Sequence, residues 1–113
     1  MSAPARPVPI VLDAAAIEDL PEGPLGHLAG VRNRVVWQAG TCMAGLLTID
    51  GGHQLGLHTH RRHHHHLWVV EGGARVLGRD LGPGSYVHVP SGAEHDIDAR
   101  GTAGCAVFYL YSD

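Results

Sequence analysis

Ten of the 113 residues are histidine, and seven of those lie between His53 and His66. Imidazole is a neutral nitrogen donor at pH 7 and the commonest side-chain ligand for zinc, iron, nickel and copper, so this density points to transition-metal chemistry. In a strand, side chains two apart share a face, and His58-Thr59-His60 therefore aims two imidazoles the same way. Beyond Arg61 and Arg62 the run His63–His66 divides by parity, with His65, Leu67 and Val69 on one face and His64, His66, Trp68 and Val70 on the other. Only one of these sets can face a metal. A further histidine, His95, follows the rigid Pro90-Ser91-Gly92 turn, which closes one strand and presents the next residues at its end.

The elements that would hold these side chains are short strands. A chain of 113 residues and 12.0 kDa has room for one core, and 44% hydrophobic with 17% charged residues suits a globular domain. From Arg32 onward, apolar and β-branched runs alternate with Gly and Pro at roughly ten-residue spacing, the pattern of an all-β sandwich or barrel. The expected strands are Arg34–Gln38, Thr41–Ile49, His58–His60, His65–Val70, Ala74–Leu77, Ser85–Val89, Asp96–Ala99 and Ala103–Tyr111. Asp13 is placed to cap one short helix over Asp13–Leu20, ended by Pro21. Residues 1–31 read as an extended N-terminal arm and leading segment, and 32–113 as the barrel of the same single domain.

Composition excludes several functions. All eight basic residues are arginine and they are scattered, so with a net charge of -3 neither nucleic acid nor an anionic membrane is the expected partner. Without lysine no side-chain amine can form a Schiff base. Cys42 and Cys105, far apart in sequence, read as two buried free thiols. No stretch approaches the roughly 20 apolar residues of a membrane span, and no leader pattern opens the chain, so a cytoplasmic location is expected.

The spacing Gly52-x5-His58-x-His60-x4-His65-x6-Gly72, followed by Gly84-x5-Pro90-x-Gly92-x2-His95, resembles the two motifs of the cupin superfamily. The resemblance spans Gly52 to about Ala99 and, with its flanking strands, most of Arg32 to Tyr111. It implies a jelly-roll barrel of two antiparallel sheets, often a homodimer, with one divalent metal held by His58, His60, His65 and His95. The first motif usually carries glutamate at the position of His65, and the second usually ends in asparagine at that of Ala99. Four neutral imidazoles leave the full charge on the ion, which favours Zn, Fe(II), Ni or Cu over Mn or Mg and makes a bound water more acidic. The six-residue spacing to Gly72 favours His65 over His64 as third ligand, and His63 and His66 are weaker candidates.

Cupins include dioxygenases, isomerases, polyketide cyclases, storage proteins and sensor modules, so the fold does not fix the activity. The leading expectation is a small metal-dependent enzyme acting on a small organic substrate: dioxygenase-like with iron, nickel or copper, a cyclase or isomerase with zinc. The alternatives are a non-enzymatic sensor similar to the cupin domains of anti-sigma factors, and metal storage or delivery through the His63–His66 run. A His-rich run alone would be only a compositional feature, a solvent-exposed metal-scavenging tract. His27 and His53 read as structural or surface residues. His88 shares a strand face with Tyr86, and is either a pocket base or a packing residue. Gln54 is a candidate for the pocket rim. Trp37, Met43, Leu46, Phe108, Tyr109 and Leu110 read as core or cavity lining, and Glu71, Glu94, Asp96 and Asp98 as turn and surface charges, with the alternative that Asp96 or Asp98 accepts from and orients a ligand histidine.

Overall fold

The computed structural model describes residues 8–56, 62–99 and 103–112. The single helix among them, α1 (Ala14–Glu18), is capped by Asp13, whose carboxylate accepts the Ala16 N–H at 2.8 Å. It is shorter than expected because Pro21 disfavours helical geometry at Leu20, and nothing buries a further turn. No helix among the described residues is long and apolar enough to cross a membrane.

Among the described residues nine strands follow: β1 (Gly23–Pro24), β2 (Val31–Ala39), β3 (Cys42–Asp50), β4 (His64–Gly72), β5 (Ala74–Val76), β6 (Arg79–Leu81), β7 (Tyr86–Val89), β8 (Ile97–Asp98) and β9 (Gly104–Ser112). They form two antiparallel sheets, a six-stranded one in the order β1-β2-β3-β9-β4-β7 and a three-stranded one in the order β6-β5-β8. The last strand is therefore central, between β3 and β4, as a jelly roll requires. The two short strands β1 and β6 were not among the expected strands; they pair with their chain neighbours β2 and β5, and at two and three residues they are too brief to leave a pattern. The expected strand His58–His60 lies outside the described residues.

Alternation decides what each face does. Leu47 and Ile49 of β3, Leu67 and Val69 of β4, and Cys105, Val107 and Tyr109 of β9 point into the interior, where Ala74, Val76 and Ile97 of the small sheet meet them. Ala99, at the position where the second motif usually has asparagine, is fully buried in the same core. The opposite face of the large sheet carries Leu46, Phe108, Trp68 and Tyr86 in lateral register. The residues expected as core therefore split. Tyr109 and Met43 lie on the inside, whereas Trp37 is 40% exposed and Leu46, Phe108 and Leu110 belong to the outer face. Part of that outer face is shared with the leading segment, where Ile10, Leu12, Ile17, Val36, Trp37 and Phe108 line a cavity of about 300 Å³.

Both cysteines are free thiols, Cys42 half-buried and Cys105 buried. Burial pushes the Cys105 thiol up to about 11. Between pH 9 and 11 the unfolded chain ionises this thiol while the folded chain keeps its proton, so the folded state binds more protons and stability falls as pH rises. At about 1.4 kcal/mol per unit, the thiol's share is a loss on the order of 2 kcal/mol across that window, read in urea unfolding as the difference between wild type and Cys105→Ala, because the raised phenols of Tyr109 and Tyr111 leave a further pH-dependent loss in the variant. At pH 8 a thiol reagent should label Cys42 in the folded protein and Cys105 only after unfolding.

Candidate metal centre

β4 turns His65 inward on the face of Leu67 and Val69, and the turn at Pro90–Gly92 delivers His95 to the same interior. Both are fully buried, at 1% and 0% exposure, and His65 Nδ1 stands 2.7 Å from His95 Nε2. The rings meet edge to face with centroids 4.8 Å apart. His95 Nδ1 lies 3.3 Å from the Ala93 carbonyl, the geometry of an N–H donated to backbone. That bond fixes the tautomer and leaves His95 Nε2 as the lone pair directed at His65, which is the outer support typical of a metal-ligating imidazole.

Tyrosines form one wall of this pair. The Tyr111 ring lies 4.6 Å and the Tyr109 ring 6.3 Å from that of His65, both edge to face. Burial, with Tyr109 adding to it, pushes the Tyr111 phenol up to about 12, and burial also raises that of Tyr109 against the opposing hydrogen bond to Asn33. Both stay neutral phenols at physiological pH. Tyr109 donates to Asn33 Oδ1 at 2.8 Å, which pins its ring. A Cβ at Gly45 would come within 2.6 Å of Tyr109 Cζ, so this glycine makes room for the ring. Tyr111 was not among the residues expected here; its signal was the two-residue spacing from Tyr109 on one strand face.

On the other side His95 borders an open pocket of about 220 Å³ lined by Arg75, Leu77, Gly78, Asp96 and Asp98. Asp98 is 7% exposed and sits in β8 opposite Arg75, a correction to its expected role as a surface charge. Asp96 accepts the Gly56 N–H at 2.9 Å, and so anchors the chain just before the segment containing His58 and His60. Those two histidines lie outside the described residues. Gln54 is half-buried and forms an isolated bridge with Asp98. Among the described residues no group of three or more His, Cys, Asp or Glu side chains is arranged to hold a metal.

No protein-family model matches the sequence, and no curated protein does. Solved structures do match. Over 84% of this chain and 85% of that one, the fold is similar to an RmlC-like cupin from Shewanella frigidimarina NCIMB 400, with 24% identity and a TM-score of 0.72. The chain has the cupin fold. The polyketide cyclase RemF from Streptomyces resistomycificus matches this chain over 89% of its length and 79% of RemF, at 15% identity and a TM-score of 0.77. A chain in the crystal structure of Rhodobacter sphaeroides SigE in complex with the anti-sigma ChrR matches 85% of the present chain at 29% identity and a TM-score of 0.71. The present chain spans half the length of that one.

Within the cupin barrel the remaining histidines separate from the interior pair. His64 and His66 are on the outer face of β4, and His88 is on the outer face of β7 directly opposite His66. This removes the reading of His88 as a pocket base. His63 Nε2 lies 2.9 Å from Thr41 Oγ1. His53 packs beneath Gly30 and its backbone bonds to Asp50 and Ala99, a structural role.

Proposed function

We propose that this cupin holds one divalent transition metal inside the barrel and acts as a small metal-dependent enzyme. The observation that carries the reading is the pair of fully buried imidazoles, His65 and His95, with ring nitrogens 2.7 Å apart. Two polar rings withdrawn from water into an apolar core are costly unless their nitrogens are engaged. The donor set fits a nitrogen-preferring ion such as zinc, iron, nickel or copper. His58 and His60 complete the set on the strength of their HxH spacing. When bound, such an ion supplies a Lewis acid or a redox centre beside the substrate.

The chain's own residues would do the rest. His95, held by Ala93, offers a fixed nitrogen. Tyr109 and Tyr111 provide a neutral aromatic wall against which a small planar organic substrate packs. The choice between oxygenation and cyclisation or isomerisation follows the ion's identity. A homodimer and a cytoplasmic setting belong to the same proposal, the latter supported by two free thiols.

Plasma mass spectrometry on protein purified without an added tag or chelator tests the reading. About one ion per chain, retained through desalting, is expected; absence of any retained metal would sink it. A redox-active ion directs the next assay to oxygen uptake with enolisable or phenolic substrates, whereas zinc directs it to cyclisation and isomerisation.

The match to the chain from the SigE and anti-sigma ChrR complex favours a second reading, a metal-containing regulatory module. It predicts capture of a sigma factor by the immobilised cupin, altered by removing the metal. Failure to capture any sigma factor, with turnover of a small substrate demonstrated, would eliminate it.

A further inference from the structure

The outer face of the large sheet carries a second set of imidazoles, which the interior site does not use. His64 Nδ1 and His88 Nε2 lie 2.8 Å apart across β4 and β7. Their rings are inclined by only 23° with centroids 5.0 Å apart, so the two nitrogens face each other nearly in the ring plane and share a hydrogen bond, one ring N–H donating to the other ring's nitrogen. His66 stacks on His88, with centroids 5.1 Å apart, and on Trp68 at 6.1 Å. Its own nitrogens are occupied, Nδ1 at 2.7 Å from the Tyr86 hydroxyl and Nε2 at 3.2 Å from Ser112 Oγ. His66 is therefore a positioning residue that holds the His88 ring in place.

We propose that His64 and His88 form a second, exchangeable divalent-cation site on the outside of the barrel, selective for ions with cis nitrogen positions such as Ni(II) or Cu(II). Two imidazole nitrogens at neighbouring corners of such an ion, each about 2.05 Å from it, are about 2.9 Å apart, so an ion replaces the proton of the present hydrogen bond at nearly the same spacing once each ring turns by roughly 45° to aim its lone pair at the ion. Antiparallel pairing fixes that spacing, because register places His66 opposite His88 and His64 on the next outward position of the same strand. His88 is exposed and His64 half-buried, so an ion reaches them from solvent without opening the barrel. Two protein ligands leave the other positions to water, which makes the ion exchangeable.

This site is independent of the interior one, and the test keeps them apart. Resident metal is first quantified in the protein as purified, and Ni(II) is then titrated calorimetrically with glycine as a mild competitor. Wild type should take up one exchangeable equivalent of Ni(II). In His88→Ala and in His64→Ala this binding should weaken at least 10- to 100-fold, with resident metal and the thermal unfolding midpoint unchanged. His88→Gln, which keeps a polar surface residue, should lose it equally if alanine disturbs the edge strand. Unchanged uptake of Ni(II) in the His88 variants would overturn the proposal, whatever the resident metal content proves to be. A wild type with no resident metal that still binds one Ni(II) through His88 would support this site while removing the interior reading.

Discussion

Protein carrying His65→Ala or His95→Ala should lose its resident metal, with affinity reduced at least 100-fold, while His64→Ala retains it. The contrast between adjacent residues is the core of the expectation. His65 is 1% exposed and faces His95, whereas His64 lies on the opposite face against His88. Removing one ligand from a compact nitrogen set typically exceeds the 10- to 100-fold cost of removing a mere supporting hydrogen bond. Loss of metal should also remove its contribution to stability, about 2.7 kcal/mol at a hundredfold excess over the dissociation constant. Each alanine also leaves a cavity and strips its partner nitrogen, adding roughly 2–4 kcal/mol of destabilisation in the metal-free state. Thermal unfolding with and without metal separates the two contributions. If His64→Ala loses as much resident metal as His65→Ala, or if neither interior variant loses any, the interior site is wrong.

Replacing Gly72 by alanine should destabilise the barrel by about 2–5 kcal/mol, the largest effect expected of any single methyl group here. Gly72 closes β4 at φ +71, a conformation other residues adopt with strain. An added Cβ would also meet backbone, 3.0 Å from Cys105 Cα and in collision with the Gly104 carbonyl oxygen. Backbone in the central strand cannot swing aside as a side chain can. The strand is irregular just before this point, since its pairing with β9 shifts register between Val69 and Glu71. Urea unfolding of Gly72→Ala gives the number, and Gly82→Ala, in open space and without positive φ, is the control expected to change little. A loss below 1 kcal/mol for Gly72→Ala would show that β9 yields more easily than its central place implies.

Both predictions depend on features that the sequence carried unevenly. The motif spacing singled out Gly72 and favoured His65 over His64 as ligand; the structure adds that His65 is turned inward and His64 outward. Periodicity alone could not choose, because shifting a strand by one residue exchanges its two faces. The same ambiguity hid His88. Its parity with Tyr86 was plain, but which face those two residues occupied depended on pairing with β4. Phe108 and Leu110 were read as core or cavity lining with no face assigned for a related reason: on a strand whose two faces are both largely apolar, hydrophobicity does not tell inside from outside.

The sequence by itself determined an all-β fold, the positions of most strands and the two-motif glycine and histidine frame. These follow from local chemistry, namely alternation, turn residues and fixed spacing within a few residues. Only the tertiary structure decided that Tyr111 packs on His65, that Asp98 is buried, and that the histidine run is divided between the interior and an outer His64–His88 pair. Each of these joins residues from strands distant in the chain. Such contacts arise when β9 inserts between β3 and β4 and when β7 pairs with β4, and no local pattern encodes that insertion.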